Sequence, residues 1–219
     1  DRYQTVYSNN NGSVAAPTAG LHFTQTILNK LLKKGVNIYD ITLHVSAGTF
    51  KPVKTQNIYS HNMHTEEIII TKSLIENLLN NKQKIICVGT TSLRALESIY
   101  HIGRKLIMKQ NNPFIVEQWE AYNQIEIPYI ESIGAIYKYF EKQQTTFIKC
   151  KTSIMIIPKY KFKTTDALIT NFHQPRSTLI MLVAAFVGNS WKEIYEYAIK
   201  RNFRFFSYGD AMILFRSEK

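Results

Sequence analysis

The run Lys84-Ile85-Ile86-Cys87-Val88-Gly89-Thr90-Thr91-Ser92 is a short apolar segment followed at once by a tight polar turn. It predicts a buried strand over Lys84–Val88, a turn at Gly89–Ser92 and a helix through Ser98. Strand, turn, helix is the repeating unit of α/β sheets. The turn also aims backbone N–H groups and the positive end of a helix dipole at whatever lies beyond the strand, which suits a carboxylate, a phosphate or a ribose hydroxyl. Taken alone, Gly-Thr-Thr-Ser serves equally well as an ordinary helix start. Arg94 and Glu97 lie on the first turns of that helix.

The alternation continues outward. Glu67–Thr71 reads as a strand, and Ser73-Leu74-Ile75-Glu76 is a capping box opening a helix to about Asn80. Further upstream, Leu21, Phe23, Ile27, Leu28, Leu31 and Leu32 form one apolar stripe of a helix that Gly35 ends. Ile41, Leu43 and Val45 alternate as a strand. Asn9–Gly12 is turn-rich, and Val14–Gly20 and Ser46–Thr49 read as loops. Downstream, Ser153–Ile157 and Ala167–Thr170 read as strands. Ser177–Val187 is an apolar helix ended by Gly188, Ser190–Lys200 a second capped helix, and Ala211–Phe215 a closing strand. Residues 101–150 alternate only weakly, around Phe114–Glu117 and Ile133–Tyr139, and read as a hairpin or irregular excursion. The expected fold class is α/β: one layered α/β/α domain with a mixed sheet over residues 1–219.

Composition narrows the function. Hydrophobic residues make up 45%, enough for a sizeable core, and charged residues only 20%, which excludes a disordered chain. Lys and Arg number 27 against 16 Asp and Glu, net +11, so a polyanion such as nucleic acid is a natural partner. The longest apolar run, Leu179–Val187, is about half a membrane span. No membrane association is expected, and the location expected is cytoplasmic. The two cysteines, Cys87 and Cys150, are expected to be free thiols. Asp1-Arg2-Tyr3-Gln4 reads as mid-protein sequence, so the chain is expected to be a piece of a longer protein.

Six histidines occur. His22, His44, His64 and His173 border loops rich in Gly, Thr, Ser or Pro, where strand-loop-helix junctions gather binding groups into a cleft. A single such histidine is more often a satisfied structural residue. The densest cluster is Thr170-Asn171-Phe172-His173-Gln174-Pro175-Arg176-Ser177-Thr178, where the chain leaves an apolar strand and enters an apolar helix. Phe205-Phe206-Ser207-Tyr208-Gly209-Asp210 places aromatic rings before a turn with one carboxylate. Asp210 is either a cap or a working group. His61, His64 and Glu66 could supply zinc ligands. The chain has no His-Glu-x-x-His helix and no cysteine pair at ligand spacing, so no metal is expected.

Several of these stretches, together and in order, resemble one enzyme family. They are Tyr3–Tyr7, Gly12–Thr24, Leu43-His44-Val45 with Ala47–Phe50, His61–Glu66, Val88–Ser92, Thr170–Thr178 and Arg204–Met212. On these the chain resembles the S-adenosylmethionine:tRNA ribosyltransferase-isomerases of queuosine biosynthesis. Ser46 stands where that family usually has Gly, and Gln174 where it usually has Leu. The resemblance implies transfer and isomerisation of the ribosyl group of S-adenosylmethionine onto 7-aminomethyl-7-deazaguanine in the anticodon of tRNA. S-adenosylmethionine is then a co-substrate, no metal is needed, and a monomer is expected. It also implies that the small β-barrel normally inserted in the family's α/β domain is absent from this chain.

Such chemistry needs a base that can work near neutral pH, and histidine fits best. His173 or His44 is the expected base, with Asp210 or Glu66 steering protons. S-adenosylmethionine is expected at Gly89, Thr90, Thr91, Ser92, Arg94 and His22. The tRNA base is expected at Asn171, Arg176, His64 and Tyr208, with Arg176 beside the unstacked base. A chain that binds tRNA or S-adenosylmethionine without turnover is the alternative.

Overall fold

The computed structural model describes residues 4–7, 17–44, 57–122 and 124–216. The expected turn at Asn9–Gly12, the start of the Val14–Gly20 loop, Val45 and the Ser46–Thr49 loop lie outside the described residues. The strands are β1 (Thr42–His44), β2 (Glu66–Thr71), β3 (Ile86–Val88), β4 (Ile115–Val116), β5 (Phe147–Thr152), β6 (Ala167–Asn171) and β7 (Ala211–Phe215). The helices are α1 (Gln25–Lys33), α2 (Lys72–Asn80), α3 (Thr90–Ile107), α4 (Tyr129–Gln143), α5 (Thr178–Val187) and α6 (Trp191–Lys200).

The α/β expectation holds, but the strands form two mixed sheets rather than one. The first runs β1-β2-β5-β4, with β4 parallel to β5 and the other pairs antiparallel. The second runs β3-β6-β7, with β3 parallel to β6 and β7 antiparallel. The strands differ in kind. β2 and β5 alternate buried with open positions, as strands with one wet face do. β6 is buried at four of its five positions. One hydrophobic cluster joins the sheets, drawing Ile68 and Ile70 from β2, Ile99 and Ile102 from α3, Ile136 and Phe140 from α4, and Phe186 from α5.

The region 101–150 is not an irregular excursion. α3 runs on to Ile107, and β4, α4 and β5 follow in that order. α3 also buries polar residues: Glu97, Ser98, His101, Arg104 and Lys105 are all inside. Each has a partner. Glu97 accepts from Tyr160 Oη (2.9 Å), the Lys163 N–H (2.9 Å) and the Thr164 N–H and Oγ1 (3.0 and 2.7 Å), which pins the segment entering β6. Arg104 and Lys105 pair with Glu120 at 3.3 and 3.1 Å. Gly103 is required by a close helix contact, since a Cβ there would lie 2.0 Å from the Ser132 carbonyl oxygen on α4.

Other boundaries moved for identifiable reasons. Ser153–Ile157, expected as a strand, is not one: β5 precedes it and ends at Thr152. Beyond it the chain bonds to the end of β4 and the loop that follows, from Ser153 N–H to Val116 O (3.0 Å) and from Met155 N–H to Gln118 O (2.9 Å). The helix expected from Leu21 starts at Gln25, because Thr24 caps it by accepting from the Ile27 N–H, and Leu21 sits in a separate 3-10 turn, Thr18–His22. No residue of α1 is buried, and Ile27 and Leu32 are 40% and 54% exposed. Thr71, not Ser73, caps α2. Gly35 and Gly188 end their helices with positive φ, as expected. Cys87 and Cys150 are free and buried.

Candidate functional site

In a parallel strand pair the loops that follow the strands emerge at the same end. β3 and β6 are such a pair, so Gly89–Ser92 and Asn171–Ser177 emerge side by side, and the Gly89 N–H donates to Ile169 O at 2.8 Å. Asn171 pairs with Ala211 in β7, which brings Asp210 to the same edge. α1, α2 and α5 begin on Thr or Ser caps. α3 has no side-chain cap, only Gly89 at φ +94°. The first-turn donors of α3 therefore lack the oxygen that such a cap supplies, which suits an anion or a polar ligand.

The 3-10 turn Thr18–His22 closes over the end of β6. Thr18 Oγ1 donates to Asn171 Oδ1 (3.1 Å), and Asn171 Nδ2 lies 3.1 Å from His22 Nε2. An amide nitrogen only donates, so His22 Nε2 accepts and its proton sits on Nδ1. Gly20 is needed here because a Cβ would lie 1.9 Å from Tyr7 Oη.

His173 is held at two points. Its Nε2 is 2.8 Å from Thr170 Oγ1, and its backbone N–H donates to Tyr195 Oη at 3.1 Å. Burial lowers the imidazole to about 4, so it is neutral at pH 7 and open to a proton. Burial likewise raises the Tyr195 phenol to about 12, so the hydroxyl stays protonated.

Asp210 is tied down. It accepts from Arg204 Nη2 (2.8 Å), Arg204 Nε (3.3 Å) and the Arg204 N–H (2.8 Å). These bonds hold its carboxyl below the ordinary carboxylate value, with a smaller contribution from nearby His22. Asp210 thus fastens the 204–210 loop beside His22.

One turn beyond Thr90, Arg94 enters a slot walled by α5 and by the segments before β2 and after β5. It is only 4% exposed. Its Nε donates to Ile154 O (3.1 Å), and its Nη1 pairs with Glu66 at 3.1 Å. Glu66, fully buried on β2, also meets His64 Nε2 at 3.0 Å. Arg94 Nη2 is buried with no hydrogen-bond partner. The slot has about 10 Å³ of open space and is lined by Met63, His64, Arg94, Ile154, Met155 and the start of α5.

The sequence comparisons fit this geometry. A family model described as queuosine biosynthesis protein matches residues 1–214. The chain belongs to that family. It is 48% identical over 219 residues to the S-adenosylmethionine:tRNA ribosyltransferase-isomerase of Rickettsia felis, covering 98% of this chain and 49% of the relative. The Rickettsia bellii enzyme of the same name is 46% identical, with 99% of this chain and 51% of the relative covered. The crystal structure of S-adenosylmethionine tRNA ribosyltransferase from Thermotoga maritima superposes with a TM-score of 0.56 at 33% identity, over 89% of this chain and 50% of that one. The chain spans about half the length of the relatives it matches.

For this member of the queuosine biosynthesis family, the structure gathers His22, Asn171, His173 and Asp210 at the β6 end, with Gly89, Thr90, Thr91 and Ser92 alongside. Glu66, His64 and Arg94 form the neighbouring slot. His44 is not brought to this edge. It pairs opposite Glu67, and Glu67 opposite Lys151, so His44 lies on the outer face of its sheet while Glu66 points inward. Arg176 is exposed at φ +57°, on the loop into α5, and Tyr208 is 63% exposed. The readings from sequence gave no role to Thr18, Thr170, Tyr195 or Arg204. Thr18, Thr170 and Arg204 lay inside the motifs already singled out. Tyr195 lay on a helix whose pattern gave no sign that it faced His173. Among the described residues, no three His, Cys, Asp or Glu side chains gather at metal-holding distance.

Proposed function

We propose that the chain carries the catalytic cleft of an S-adenosylmethionine:tRNA ribosyltransferase-isomerase. It moves and isomerises the ribosyl group of S-adenosylmethionine onto 7-aminomethyl-7-deazaguanine in tRNA, giving epoxyqueuosine-tRNA. The observation that carries this reading is the convergence of His22, Asn171 and His173 with the α3 start, which has no side-chain cap, at one sheet edge. The names of the relatives support the substrate class.

S-adenosylmethionine fits the residues present, because the Gly89–Ser92 turn and the partnerless Arg94 Nη2 both offer donors. When bound, it supplies a sulfonium that acidifies the adjoining ribose carbon, and adenine and methionine as leaving groups. Neutral His173 takes the proton from that carbon. Thr170 and Tyr195 fix its ring and backbone, so the lone pair is already aimed. The bond from Asn171 to His22 Nε2 leaves the Nδ1–H free to donate a hydrogen bond to departing adenine, which takes its proton from solvent. Asp210 keeps the loop closed beside it. Arg176, exposed at the rim, receives the tRNA base.

The tRNA partner rests on charge. At net +11, phosphate contacts supply sequence-independent affinity. The experiment is incubation of the chain with S-adenosylmethionine and tRNA bearing the precursor base, followed by release of adenine and methionine. Equimolar release with modified tRNA is expected. Binding of both substrates without release would favour a second reading, a binding module, which the half-length match to the relatives makes specific.

A further inference from the structure

Arg94 is a buried guanidinium with one arm unused. Its Nε and Nη1 are committed to Ile154 O and Glu66, while Nη2, equally buried, bonds to nothing. Leaving a buried charged donor unsatisfied is costly, so such an arm marks a place where a ligand atom completes the set. The slot it enters has about 10 Å³ of open space, room for one water-sized group.

The chemistry of the slot selects that group. Arg94 is donor-only, so the incoming atom accepts. Thr178 and Leu179, the first residues of the ten-residue α5, form part of the wall. The Ser177 hydroxyl accepts only from the Ile180 N–H, so the helix presents its positive end there. Glu66 is already matched by Arg94 Nη1 and His64, which leaves the second arm to face a second anion. Apart from His64, the remaining walls, Met63, Ile154, Met155, Ile156 and Leu182, are apolar and strengthen a charged bond by excluding water.

Resting on the reaction proposed above, we infer that this slot takes one carboxylate oxygen of the methionyl group of S-adenosylmethionine, with Arg94 Nη2 as its donor. Arg94 is thus a specificity residue for the amino-acid end of the co-substrate, and the α3 start remains for the nucleoside end.

The test compares binding of S-adenosylmethionine with that of its decarboxylated analogue, by calorimetry, to the unaltered chain and to Arg94→Lys, which keeps the charge opposite Glu66. A charge-assisted hydrogen bond predicts that the unaltered chain prefers the carboxylate-bearing ligand by roughly 10- to 100-fold. Arg94→Lys should reduce that preference to within about threefold. Equal binding of both ligands by the unaltered chain overturns the inference without any variant. A preference that survives Arg94→Lys overturns it too. If neither ligand binds, the proposed reaction itself fails, and the inference with it.

Discussion

Burial sets what His173 can do. With its imidazole lowered to about 4, it is unprotonated across the neutral range, and the base role proposed for it is lost only in acid. The acid limb of kcat/KM should therefore fall near pH 4 rather than near 6.5. A pH–rate profile of the unaltered chain checks this, and a limb near 6.5 would point to a solvated histidine instead. At this scale the sequence disclosed candidates better than relations. His173, Asn171 and His22 stood out because polar side chains crowded the loops beside apolar strands. Nothing in the pattern showed that Asn171 reaches back to a residue 149 positions earlier. Nor did it show that Asp210 is spent on Arg204, because both bonds are made by the fold.

The elements divide by how their polar residues are used. α5 was readable as a buried helix because it is apolar throughout, and β7 because its ends are marked. The second half of α3 was harder to read because it buries His101, Arg104 and Lys105 beside its apolar residues, while α4 carries Ile133, Ile136 and Phe140 at helical spacing that the expectation passed over. Gly103 and Gly134 give a paired test of this packing. Gly103→Ala places a Cβ 2.0 Å from Ser132 O and must push α3 from α4, at a cost of about 1–3 kcal/mol. Gly134→Ala meets nothing within 4 Å, so it should stabilise by roughly 0.5–1 kcal/mol through helix propensity. Urea unfolding of the two variants measures both. Equal effects would mean that the two helices do not touch as closely as described.

For the whole molecule, buried histidines couple stability to acid. Burial, with help from Arg104, Lys163 and Lys105, lowers His101 to about 3. The unfolded chain takes up that proton near 6.5 and the folded chain resists it, so stability is full above about 6.5 and is lost as the pH falls toward 3. The loss from this group is on the order of 4 kcal/mol. His101→Gln should flatten the pH dependence of the unfolding free energy over that window, even if it lowers stability at neutral pH. An unchanged slope would remove His101 from the account. The net charge of +11 also belongs to this scale: tRNA affinity should fall steeply with salt, and a salt-independent affinity would rule out phosphate contacts as its source. That the fold is α/β was legible in strand-turn-helix runs. That it is two sheets rather than one was not, since strand pairing depends on contacts distant in sequence. The central claim is that the reacting cleft lies at the β3–β6 edge and not on the outer face that carries His44. It is tested most directly by single-turnover formation of epoxyqueuosine in precursor tRNA by His173→Ala and His44→Ala, each with S-adenosylmethionine binding shown to be intact. The account predicts a loss of about 10²- to 10⁴-fold for His173→Ala and less than about threefold for His44→Ala. The reverse order would contradict it.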